Sequence, residues 1–559
     1  MNDQACVIEL KAIESTMLQP RDCRGIQASM SKGVCEEKSR IVCALTCLMI
    51  LAVSLALLTP DLVLGRESAT SVYSQAVEAH WKWDLDKAIQ LYNKALTLDP
   101  DNARAYFNRG VAYRSKGDEE RALADFNKAL SKDPELVEAL YGRGLIYLHR
   151  KKYEEASEDM DRVIKLEPKH SGAFRTRAEA AMALGNLDRA EADLTEAIKL
   201  YPPDSEAYFL RGIVYQKKAD AEKALADLNK ALELNPKQSG ALWKRGNLRF
   251  AQGKTQEALK DYDRAISLEP NNAEILNNRG WAKFTVGSLA EAEADFNRAL
   301  ELDPNFAVAL RNRAMVRQKM DRMDAALTDY NRLIELNLSD LSDYEARGKI
   351  LLNLGKTSDA VQDFDRVLEA QPKSTAILAL RGQARVMLGR YKEAVTDLDA
   401  VLAAEPDNVQ VLVYRGKAYE ALKSYARAAD DFAAAIKIAS DSATADMYYE
   451  LGKVNLLSGR LESAVESFDK VVQMQPTHGL AHANRGVAYR NLREYRRAAE
   501  DFRKALSLLT EAKRVSQVKS LLEETESRIK ALGLTDPLQL MEQEAQRTQA
   551  DWPIQSPYW

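Results

Sequence analysis

Residues 106–134, "YFNRGVAYRSKGDEERALADFNKALSKDP", read as two amphipathic helices joined by a turn. Apolar residues return three and four apart on either side of that turn, which is the spacing of one helix face. Pro134 ends the second helix, because proline lacks the backbone N–H and its ring crowds the preceding turn. Arg109, however, stands where the apolar stripe of the first helix should continue, and Arg-Gly returns at regular spacing down the chain. Either that arginine row binds a ligand or it belongs to the framework.

Working outward, prolines fall at 100, 134, 168, 202, 236, 270 and 304, a step of 34 residues. Leu338 takes the next slot, Pro372 and Pro406 follow, Ser440 stands in once, and two extra residues precede the unit ending at Pro476. With each proline numbered as position 32, thirteen units align over 69–512. Position 8 is small, as in Gly110, Gly144 and Ala178, and position 20 is alanine from Ala88 to Ala498. Position 24 is large, as in Tyr92, Phe126, Tyr262 and Phe502. Small residues let two helices approach, and the large one fills the space beside them. No unit can bury its stripe alone, so each must stack on its neighbours.

This pattern closely resembles the tetratricopeptide repeat, a 34-residue helical hairpin with small residues at 8 and 20, an aromatic at 24 and proline at 32. The resemblance implies an all-α, right-handed α-solenoid whose first helices line a concave groove. A capping helix is expected over 513–533, with an apolar stripe through Val515, Val518, Leu522 and Ile529, and an extended tail over 534–559.

Eleven units carry arginine at position 7, and the same eleven carry aspartate at position 23. Arg109 matches Asp125, Arg245 matches Asp261 and Arg279 matches Asp295, whereas the units with Gln75 and Leu451 have Leu91 and Ser467 instead. Both positions are the i+3 slot of a stripe, and they lie level in an antiparallel hairpin. Pairing within a unit leaves no orphan. Pairing each aspartate with the next unit's arginine would strand Arg109, Asp431 and Arg485. A half-buried unpaired charge is expensive, so the arginines read as structural ion pairs.

Little else suggests chemistry. The chain of 559 residues has 83 acidic and 79 basic side chains, a balance that offers no field for nucleic acid. "GKT" occurs at 253–255 and 355–357, but six residues separate each upstream glycine from the next, and a phosphate loop needs four. His478 and His482 have metal-like spacing but no acidic companion, and Pro476 puts His478 ahead of its helix. No catalytic constellation appears and no cofactor is implied, so the expectation is a protein that is not an enzyme.

All five cysteines lie at or before residue 47, and 41–58, "IVCALTCLMILAVSLALL", is free of charge. Basic residues precede that stretch, which orients everything after it to the far side of a membrane. The segment 41–65 fits a cleaved signal peptide and an uncleaved anchor alike, behind a leader of residues 1–40. Residues 69 onward are expected to be exported, to a periplasm, cell envelope or beyond.

The resemblance implies that positions 2, 5, 9 and 12 face the groove. There the chain carries Phe107, Tyr141, Phe209, Trp243, Phe250, Trp281 and Phe284, an aromatic wall suited to a peptide or protein partner. From the ninth unit lysine, glutamate and arginine replace the rings. The reading is a scaffold or adaptor for proteins, or an assembly subunit of envelope secretion or polysaccharide machinery held by residues 41–58.

Overall fold

A computed structural model describes residues 68–533 of the chain. The cysteines, the segment 41–65 and the tail 534–559 lie outside the described residues. Among the described residues the only regular structure is helical, and no helix is long and apolar enough to cross a membrane. Two compact units divide the chain, the first ending at Asp227 and the second starting at Leu228. Each is an all-α solenoid of stacked hairpins.

The hairpin is uniform. First helices such as Ala103–Ser115 have 13 residues and second helices such as Glu119–Lys132 have 14. Polar side chains start many of them: Asn102 Oδ1 accepts from the Ala105 N–H at 2.9 Å and Asp118 Oδ1 from the Arg121 N–H at 3.1 Å. The turn between the two helices needs one residue in the left-handed region, always at position 15. Gly117, Gly185 and Gly253 supply it freely, but Trp83, Lys151 and Ala219 adopt φ of 59–61° at the same place.

Packing follows the alternation of small and large. Phe126 and Ala122 are fully buried, and a Cβ added to Gly110 would lie 2.8 Å from Phe126 Cε1. The ring therefore occupies the space that glycine leaves open. Second helices stop at position 30, two residues before the proline. Where Leu338 replaces that proline, the helix Met323–Glu335 stops a residue earlier, Asn337 turns to φ 55°, and Asp340 and Asp343 form a capping box for the next helix. Where Ser440 replaces it, the helix runs on to Ala439 and a 3₁₀ turn over Ser440–Ser442 takes up the extra residues. The final helix, Ala512–Ala531, buries Val518 and Leu521 in the core beside Phe468 and Phe502.

Candidate functional site

Each of the eleven arginines grips its own hairpin's aspartate with two parallel hydrogen bonds. In the first of them Arg109 Nε donates to Asp125 Oδ2 at 2.8 Å and Nη2 to Oδ1 at 2.6 Å. The same fork joins Arg245 to Asp261 and Arg279 to Asp295. The eleven aspartate side chains are 1–9% exposed and the arginines 12–21%. The hydrogen bond to Asp125 raises Arg109 above its usual pKa, although burial opposes it. Around Asp363 and Asp431 burial has the larger effect and pushes the carboxyl up despite the paired arginine.

The remaining guanidinium nitrogen reaches backward, which the pairing rule did not anticipate. Nη1 of Arg109 donates to Asn93 Oδ1 at 2.6 Å, in the preceding hairpin. Arg143 reaches Asn127, Arg177 reaches Asp161, and the pattern continues to Arg415 with Asp399 and Arg485 with Asp469. Each arginine thus joins position 23 of its own hairpin to position 25 of the one before. The signal was present in the sequence: position 25 is Asn, Asp or Thr before every such arginine, and Ala433 precedes Leu451. A guanidinium engaged on both edges has little left to offer a ligand.

Position 11 adjusts the charge at four hairpins. Arg249, Lys283, Arg317 and Arg385 place a second cation on Asp261, Asp295, Asp329 and Asp397, at 2.7–3.0 Å. Elsewhere tyrosines such as Tyr113 and Tyr215 lie beneath arginine or lysine from the facing helix.

Among the expected groove residues, Phe107 is not a surface residue. It is 7% exposed, its ring stacks on Phe126 with centroids 5.8 Å apart, and it belongs to the core of its unit. Phe126 is itself held close to the next hairpin, where a Cβ added to Gly142 would lie 3.1 Å from its Cζ. Tyr141 is half-buried and tilts onto His170 with centroids 4.7 Å apart, and Phe209 is half-buried in the same unit. Nearby, Arg175 Nη1 donates to Asp204 Oδ2 at 2.6 Å, and burial pushes the Glu179 carboxyl up to about 7 against the pull of Arg175.

In the second unit Trp243, Phe250, Trp281 and Phe284 are all half-buried, and Trp281 tilts against Phe284 with centroids 5.2 Å apart. Lys244 Nζ lies 3.9 Å from the centre of the Trp243 ring. Beside these rings runs a row of amides: Tyr262 donates to Asn247, Asn278 lies between Asn247 and Asn277, and Asn312 donates to Asn277. Val308 and Met315 on the next first helix are exposed, so the rings and amides border accessible apolar surface.

Of the two histidines with metal-like spacing, His478 caps its helix by accepting from the Ala481 N–H at 3.0 Å. His482 is buried between Asp501 and the Pro476 carbonyl. Among the described residues no group of three or more His, Cys, Asp or Glu could hold a metal ion.

Sequence models of one family match along the chain. Those described as "TPR repeat" match 84–117 and 246–287, and those described as "Tetratricopeptide repeat" match 103–136, 137–170, 175–239, 273–306, 311–443, 445–478 and 479–511. The chain is a tetratricopeptide-repeat protein. Its arginine staples are therefore an elaboration of a known hairpin. Similar solved structures include YrrB, described as a TPR protein with an unusual peptide-binding site, at 25% identity over 33% of this chain and 95% of that one, with a TM-score of 0.29. The TPR domain of P58(IPK) aligns at 20% identity over 70% of this chain and 98% of that one, with a TM-score of 0.27. A tetratricopeptide repeat protein from Parabacteroides merdae aligns at 21% identity over 45% and 98%, with a TM-score of 0.35. No curated protein matches this tetratricopeptide-repeat chain.

Proposed function

We propose that this tetratricopeptide-repeat chain is a non-catalytic scaffold of thirteen repeats that binds segments of partner proteins along its first-helix faces, on the exported side of a membrane. The observation that carries this reading is the division of labour between the two rows of side chains. The arginines are engaged on both edges by neighbouring helices. Trp243, Phe250, Trp281 and Phe284 keep accessible ring surface beside exposed Val308 and Met315. Half-exposed aromatics next to amide donors and acceptors suit an extended or helical segment, whose apolar side chains and backbone groups both need partners. Phe107 drops out of this surface.

Export rests on the charge-free stretch 41–58 and the basic residues before it. Mass measurement of the mature protein decides between its two forms: a start near Arg66 means a cleaved signal, and an intact N-terminal region means an anchor. Partner binding is tested by crosslinking capture from envelope extracts with Trp243→Ala plus Trp281→Ala. The proposal expects captured partners to fall at least about tenfold while the melting transition is kept. Partners retained unchanged would sink it.

A further inference from the structure

Two of the six tryptophans of the chain sit on one hairpin turn, in "HWKWD" at 80–84. Trp81 closes the first helix, Ala69–Trp81, and is 56% exposed, and Trp83 in the turn is 60% exposed. Trp83 also occupies the left-handed slot, at φ 61°. Glycine fills that slot in seven other hairpins, and Lys151, Ala219, Asp321, Lys423 and Arg493 fill it in the rest. A bulky aromatic there carries a backbone cost and gains little burial among the described residues. Strain without packing points to a contact outside the fold.

Chain continuity indicates what that contact is. The apolar stretch ends at Leu58 and the described helices begin at Ala69. The ten residues that lead from Leu58 to Ser68 span at most about 35 Å. The first helix is about 20 Å long, so if 41–58 is a membrane anchor the tryptophan turn is within reach of the same membrane surface. Tryptophan is enriched where hydrocarbon meets water, because its ring is apolar and its indole N–H seeks a polar partner. Glu78, Lys82, Asp84, Asp86 and Lys87 around the turn nearly cancel in charge, which suits a zwitterionic surface. We infer that the Trp81–Trp83 turn is a membrane-interface contact that lays the first hairpin against the lipid headgroups.

This inference takes its tether from the membrane reading of 41–58 but not from the groove. The test reconstitutes the full chain in phosphatidylcholine vesicles carrying lipid brominated near the headgroup, and compares wild type with Trp81→Ala plus Trp83→Gly. Glycine suits the left-handed slot, so the double variant is expected to melt no lower than wild type. The expected result is quenching of tryptophan fluorescence in the wild type that falls to less than half in the variant, with both proteins floating with the vesicles. Equal quenching with flotation intact would overturn the tryptophan contact alone. Failure of both proteins to float would overturn the tether and the contact together. Concentration-dependent self-association of vesicle-free wild type that the variant lacks would assign the turn to a second copy and overturn the lipid contact.

Discussion

Removing one partner of a nearly buried ion pair leaves the other charge without solvent, a loss of about 3–5 kcal/mol. Arg143→Leu should show this loss, because Asp159 has no second cation and its side chain is 4% exposed. Adding Asp159→Leu should recover at least about half of the loss in urea or thermal unfolding, and additive effects would contradict the pairing. Arg245→Leu should cost less, since Arg249 Nη1 stays 2.7 Å from Asp261. That difference was not readable from the matched columns at positions 7 and 23. It depends on position 11, which is a cation in only four units, at Arg249, Lys283, Arg317 and Arg385. Glu179 gives a pH signature in the first unit. Its carboxyl titrates near 7 in the fold against an ordinary value of 4.5, because burial disfavours its charge. The stability tied to its protonated form is present below pH 4.5 and is lost as pH rises through about 7. Glu179→Gln should therefore match wild type at pH 4 and exceed it at pH 8 by about 1–2 kcal/mol, a figure reduced for its partial exposure. Equal melting at both pH values would contradict it.

At the scale of the hairpin, the turn residue at position 15 sets a measurable cost. Ala219→Gly should stabilise by about 1 kcal/mol in thermal unfolding, and Gly253→Ala should destabilise by about 1–2 kcal/mol. Both follow from the crowding of a Cβ against the carbonyl in the left-handed region. The helices, their ends and the small-against-large packing were legible in the sequence, because each is a local rule repeated in phase. The fate of the position-5 rings was less so. Phe107 and Tyr141 share a repeat position, yet one is buried on Phe126 and the other is half-buried beside His170 of the next hairpin. A side chain's surroundings are set by the next hairpin, and a single unit does not display them. The backward arm of each arginine was missed for a similar reason. The matched stripes lie within one unit, and the acceptor at position 25 belongs to the preceding one.

On the scale of the molecule, stability in a solenoid is a sum over hairpins and the interfaces between them, so the weakest interface opens first. The junction after Ala439 lacks the arginine staple, since Ala433, Leu451 and Ser467 replace its three members. It also carries the 3₁₀ turn and Ser440 at φ 48°. Brief digestion with a non-specific protease should cut within 440–444, and a chain that stays intact there while stapled junctions are cut would contradict this. The central claim is that the arginine row is framework and the aromatic first-helix face is the recognition surface. Crosslinked partner yield tests it most directly, measured side by side for wild type, Arg143→Leu plus Asp159→Leu, and Trp243→Ala plus Trp281→Ala. Paired charge removal should keep the yield within about twofold, and paired tryptophan removal should lower it at least about tenfold. Loss of partners on removing the charges, with full retention after removing the tryptophans, would contradict it.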